Sequence, residues 1–166
     1  MADVEAAEDR FTVTYDEATV RRAVRTFMWR RLFATAWFAG VAVLILALAA
    51  AGLSSRSALL LWSAGFLLAL TSSLVLLVWR AHLGGGLGRL RAMSPPAVEV
   101  IVSPGRLAFR SSLGEAALPW SSFTEVWRTP TFWLLFTAPG SFNVLPVAGV
   151  EAAVLDRLSA RLPPSR

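Results

Sequence analysis

The sequence predicts a membrane α+β protein: a two-helix transmembrane hairpin followed by a small antiparallel β domain that a C-terminal helix caps. Three observations carry this. Between Arg31 and Arg80 the one ionisable side chain is Arg56, and two long apolar runs lie on either side of it. From Ala97 the apolar residues begin to alternate, the period of strands. Over the last segment the apolar spacing lengthens to that of an amphipathic helix. The expected boundaries are residues 1–31 for an N-terminal strand and basic helix, 32–80 for the hairpin, 81–96 for a Gly-rich linker and 97–166 for the β domain.

In the N-terminal region, "FTVTY" sets Phe11, Val13 and Tyr15 against two threonines, the pattern of a short half-buried strand. Asp16 suits a helix N-cap, because its carboxylate can accept from a backbone N–H of the first turn. The helix that follows puts Val20, Ala23, Val24, Phe27 and Met28 on one face and arginines around the rest.

The two runs, 32–53 and 57–79, are long enough as helices to reach about 33 Å, the thickness of a hydrocarbon core. A cleaved leader ending at "ALAAAG" fits less well, because some thirty residues precede the first run and a second run follows at once. Arg21, Arg22, Arg25, Arg30 and Arg31 lead into the first span and Arg80, Arg89 and Arg91 follow the second. The positive-inside bias therefore places both termini in the cytoplasm and the loop at Gly52 to Arg56 outside. Trp29 and Trp79 are expected at the inner interface, where an indole buries its body and keeps its N–H wet. Small residues recur at Gly65, Ala69 and Ser73, and at Ala36, Gly40, Ala47 and Ala51. Such stripes allow close helix approach, with the hairpin itself as the simplest partner and a second copy as the other. Neither span carries a charge or a His, which argues against a proton relay or ion pathway.

"AHLGGGLGRLRAMSPP" reads as a flexible joint. A phosphate-binding loop would need a preceding strand and a following Gly-Lys-Ser/Thr, and both are missing. Beyond it, "AVEVIVS" and "RLAFRSS" around "SPGR" form a hairpin that puts Arg106 and Arg110 on one face. Gly114 starts a third strand; "SSFTEVWRT" breaks alternation, so a bulge or turn precedes the strand there; "TFWLLFTA" and "SFNVLP" are two more. The tryptophans at 120, 127 and 133 belong to a core, since Pro119, Glu125, Arg128 and Pro130 interrupt the stretch too often for a membrane helix. "VEAAVLDRLSARL" aligns Val150, Val154, Leu155, Leu158 and Leu162 on one helical face.

All sixteen basic residues are Arg, and cysteine is absent, which removes disulfides, thiolate nucleophiles and Cys-based metal sites. His82 stands alone at a span exit and Glu99, Glu115 and Glu125 are scattered, so no nucleophile–base pair or metal spacing emerges and no cofactor is expected. The arginines flank the apolar runs instead of forming one basic face, which excludes nucleic acid as an expected partner.

The order of strand, basic helix, apolar hairpin and then "VEVIVSPGRLAFRSSLGEAALPWSSFTEVWRTPTFWLLFTAPGSFNVLPVAGV" resembles the bacterial YcxB-like membrane proteins and, more distantly, bacterial pleckstrin-homology-like (PH-like) domains. Pro119-Trp120 leading to Phe123 and Val126, the strand "TFWLLF", and Leu145-Pro146 carry the likeness. It implies a barrel-like pair of bent antiparallel sheets closed by the C-terminal helix, and location in the bacterial inner membrane. A basic residue commonly follows this proline in the relatives. Here Val147, Ala148 and Gly149 stand there, which counts against an anionic ligand contact at that place. The expected function is a non-catalytic, membrane-anchored interaction or regulatory module, with anionic head-group binding by the PH-like domain as the alternative. The expected lipid or partner contacts are Arg30, Arg31, Arg80, Arg106 and Arg110. The expected partners are membrane lipids, a protein in the same membrane, or a second copy of the chain.

Overall fold

The structure is a computed structural model that describes residues 9–33 and 35–164. The start of the expected N-terminal region, Ala34 in the first apolar run and the last two residues of the 97–166 domain lie outside the described residues.

Strand β1 (Asp9–Thr14) leads into helix α1 (Glu17–Met28), whose start is capped as expected: the Thr19 N–H donates to Asp16 Oδ1 at 2.9 Å. A short π-helical stretch, Trp29–Phe33, follows, then helices α2 (Ala36–Ser55) and α3 (Ala58–Ala92). Strands β2 (Ala97–Val102), β3 (Arg106–Ser111) and β4 (Gly114–Pro119) come next, and one 3-10 turn (Trp120–Ser122) supplies the break in alternation before β5 (Glu125–Arg128). Strands β6 (Phe132–Ala138) and β7 (Ser141–Pro146) and helix α4 (Ala152–Arg161) complete the chain.

The expected Gly-rich joint needs correction, because residues 81–92 continue α3. Each glycine costs a helix about 1 kcal/mol against alanine. Elongating an existing helix avoids the cost of nucleation, however, and Leu87 and Leu90 are buried one turn apart. The non-helical link shrinks to residues 93–96.

The chain divides into two compact units, Met1–Ala23 with Leu87–Arg166, and Val24–Gly86. The first holds two antiparallel sheets, ordered β1-β2-β3-β4 and β5-β6-β7. The strand that precedes the apolar helices pairs with the first strand after them, in the register Phe11↔Val100 and Val13↔Val98. The sheets do not close into a barrel, which corrects the barrel-like expectation: the edges of β1 and β7 are bridged by a side chain, the Tyr15 hydroxyl donating to Val144 O at 2.6 Å. Val13, Val98, Val100, Leu107, Val126, Trp133, Leu135 and Leu145 fill the core, and Leu158 and Leu162 of α4 and its end insert into it. Trp127 and Trp133 are buried, as the aromatic stretch predicts. β6 is buried along both faces, with Phe132, Leu134 and Phe136 on the side opposite Trp133 and Leu135.

In the second unit, α2 and α3 are both long and apolar enough to cross a membrane. Their apolar side chains lie outward: Trp37, Leu59 and Trp62 are each at least three-quarters exposed. The shielded residues recur at coiled-coil spacing, Val41, Ile45, Leu48 and Gly52 on α2 and Leu60, Ala64, Leu67 and Thr71 on α3. The small-residue stripes expected to pair the two helices are instead exposed at Gly65, Ala69 and Ser73 and at Ala36, Gly40, Ala47 and Ala51. Branched side chains fill the seam, so close approach is confined to the turn, where a Cβ on Gly52 would lie 2.9 Å from Leu61 Cγ. Arg56 ends α2 in the left-handed conformation, φ 52°, its N–H donating to Gly52 O. Ser63 and Thr71 donate to the carbonyls of Leu59 and Leu67, which satisfies their hydroxyls within the helix.

Candidate functional site

The expected contact residues fall in both units. In the helical unit, Phe27 at the end of α1 stacks on His82 of α3, with ring centroids 4.9 Å apart. The contact sets the levels of their neighbours. Trp29 and Arg30 lie two and three residues beyond Phe27, and Trp79 and Arg80 three and two before His82. At 1.5 Å per residue both pairs stand within about one turn of it. Trp29 is 67% exposed, Trp79 half-buried, Arg30 and Arg80 exposed, and Arg31 half-buried. Nδ1 of His82 donates to Val78 O at 2.9 Å, so the ring is engaged on one edge and one face.

In the β unit the two arginines that the strand pattern groups are both exposed on β3 but differ in their partners. Arg110 Nε and Nη2 donate to Glu115 Oε2 at 3.2 and 3.1 Å, and Nη1 donates to Glu99 Oε2 at 3.4 Å. Its charge is compensated by two carboxylates in register with it on the neighbouring strands. Among the described residues Arg106 makes no ion pair, and it lines a shallow depression of about 440 Å³ with Ser103, Gly105, Ala117 and Pro119. That turn is pinned from beneath. The Trp120 indole donates to Ser103 O and Pro104 O, both at 3.1 Å, and Arg161 Nη1 donates to Ser103 O at 2.7 Å while its guanidinium lies over the Trp120 ring.

The remaining charges of this unit are mostly committed. Arg157 binds Asp9; Arg21 and Arg91 converge on Glu17 at 3.3 and 3.0 Å; Arg128 donates to Ser159 O and Pro163 O. The Arg157 hydrogen bond holds the Asp9 carboxyl below its ordinary range, and hydrogen bonds from Arg91 and Arg21 do the same for Glu17. The carboxylates weighed for acid–base chemistry are occupied: Glu99 and Glu115 by Arg110, and Glu125 by the Trp127 indole at 2.8 Å. Among the described residues no three His, Asp or Glu side chains cluster as a metal site. The partnership of Arg110 was legible in principle, since a hairpin around "SPGR" places Glu99 across from it.

The family model described as YcxB-like protein matches residues 102–160, from the end of β2 through nearly all of α4, and bears out the resemblance over that segment. No curated protein and no solved structure matches the chain.

Proposed function

We propose that this chain, YcxB-like over residues 102–160, is a membrane-anchored interaction or regulatory module, its apolar hairpin crossing the bacterial inner membrane and its β unit, a PH-like domain, held at the inner leaflet. The observation that carries this reading is the pairing of β1 with β2. Segments before and after the two apolar helices form one sheet, and a sheet cannot be shared across a bilayer. This supports both flanks lying on one side, and their arginines favour the cytoplasmic side. The outward apolar surface of α2 and α3 supports insertion, since exposed apolar area on this scale is characteristic of a membrane or partner surface.

Binding, as opposed to catalysis, is supported by the commitment of Glu99, Glu115, Glu125 and His82 to structural contacts. The surface on offer includes β4, an edge strand with only Leu118 less than exposed along its length. The chain has no cysteine, so single-cysteine variants test the reading cleanly. In intact cells an impermeant maleimide is expected to label Ser54→Cys and to reach Ser112→Cys only after permeabilisation. A photo-crosslinker at Ala117 in the membrane-borne protein is expected to give a discrete adduct. Labelling of both cysteines from outside, or no adduct, overturns the proposal.

A further inference from the structure

The two units differ in the acidic residues that their own segments carry. From Val24 to Gly86 the chain has five arginines and not one Asp or Glu, whereas the β unit binds Arg21, Arg91, Arg110 and Arg157 to its own carboxylates. Four of the five, Arg25, Arg30, Arg31 and Arg80, belong to the end of the helical unit marked by the Phe27–His82 stack, and Arg56 caps the opposite turn. Arg25 and Arg80 are exposed and, among the described residues, make no hydrogen bond or ion pair. Each points away from the stacked face, because Arg25 precedes Phe27 and Arg80 precedes His82 by two residues, about 200° around a helix. The charges thus form a collar and not a single pocket. Trp29, two-thirds exposed, and Trp79 lie two and three residues from the two members of the stack, where the apolar runs begin.

We infer that this collar selects anionic phospholipids, with the arginines taking head-group phosphates and the two indoles lying at the boundary between head groups and chains. Phosphate chemistry alone would suit a soluble anion too. The continuity of the collar with apolar helix surface and its exposed indole favour a lipid, which presents phosphate and hydrocarbon together. The inference rests on the membrane reading above and moves head-group recognition from the β unit, where Arg110 is already compensated, to the helical unit.

The test uses the full chain reconstituted in phosphatidylcholine vesicles, with spin-labelled phosphatidylglycerol or phosphatidylcholine as the probe of the lipid shell. The wild type is expected to enrich phosphatidylglycerol several-fold in that shell, and Arg25→Gln with Arg80→Gln to reduce the enrichment on the order of fivefold at low salt. High salt does the same to the wild type. Arg25→Lys with Arg80→Lys keeps the preference, which separates lost charge from lost folding, and Arg106→Gln leaves it unchanged. Equal association of the two lipids with the wild type, a Gln pair that behaves like wild type, or a loss that follows Arg106→Gln overturns the inference while leaving the anchor intact. A chain that stays out of the vesicles overturns both.

Discussion

Arg157 of α4 holds Asp9 of β1 at two points, Nε to Oδ2 at 2.7 Å and Nη2 to Oδ1 at 2.9 Å. A residue near the start of the chain is thereby tied to the helix that closes the core. The hydrogen bonds, more than the neighbouring charge of Arg161, depress the Asp9 pKa below 3.8. A depressed carboxylate contributes stability that is present above its unfolded pKa and lost as pH falls through the folded value. Hydrogen exchange of the full chain in detergent is therefore expected to show β1 protection at neutral pH that declines once pH drops below about 3.8. Asp9→Asn lowers protection at neutral pH and removes that acid-side decline.

Tyr15 is the one tyrosine of the chain, so its absorbance titration reports a single site. Burial raises its pKa above the ordinary 10.0. Its contribution is fully present below pH 10 and lost as pH rises through the raised folded value, because only the unfolded chain ionises readily. Native protein is expected to show no phenolate step near pH 10, and unfolded protein to show one. Tyr15→Phe removes the bond to Val144 O across the open seam at a cost of about 1–2 kcal/mol, measurable as a lowered unfolding midpoint in denaturant.

Gly52→Ala places a methyl group 2.9 Å from two carbons of the Leu61 side chain and 3.1 Å from its backbone nitrogen. Overpacking of this kind costs about 1–3 kcal/mol. Thermal unfolding in detergent, followed by helical circular dichroism, is expected to shift downward. Adding Leu61→Ala should recover part of the loss, because it removes the side-chain clash and leaves the backbone contact. Gly65→Ala is expected to cause no loss and to raise the midpoint through up to about 1 kcal/mol of helix propensity, since nothing outside its own stretch of helix backbone lies within 4 Å of its Cβ position.

Arg128 lies over the Trp133 ring, 5.3 Å from its centroid, and donates to Ser159 O and Pro163 O at 3.2 and 3.4 Å. It ties the end of α4 to β5. Among the described residues its buried Nε has no partner, so Arg128→Met deletes favourable and unfavourable features together. A net loss of about 1 kcal/mol is expected, read as faster hydrogen exchange confined to the last turn of α4.

Local pattern made most elements legible. Alternation marked β2 and β3, Pro119 and the broken period marked the turn before β5, and two uncharged runs marked α2 and α3. Pairing between distant segments was not legible. Phe11 and Val13 announce a strand, yet nothing in their spacing says that Val100 and Val98 are their partners. The glycines at 84–86 and 88 suggested a joint because propensity is a local quantity, whereas Leu87 and Leu90 are held by burial that only the folded unit supplies. At the candidate site, the tryptophans and arginines of the collar were visible as flanks of apolar runs. The engagement of Arg110 depended on strand register, and the common level of the collar on one ring contact.

The pairing of β1 with β2 also imposes an order on biogenesis. During synthesis β1 emerges first and must wait until both helices of the hairpin have been made before its partner exists. The loop it closes contains the entire hairpin, so this step is entropically slow. Until it occurs, β2 presents an unpaired edge that invites association between nascent chains. Delivery of the hairpin to lipid during translation would keep such chains dilute and apart, and a chain released before insertion would be prone to aggregate.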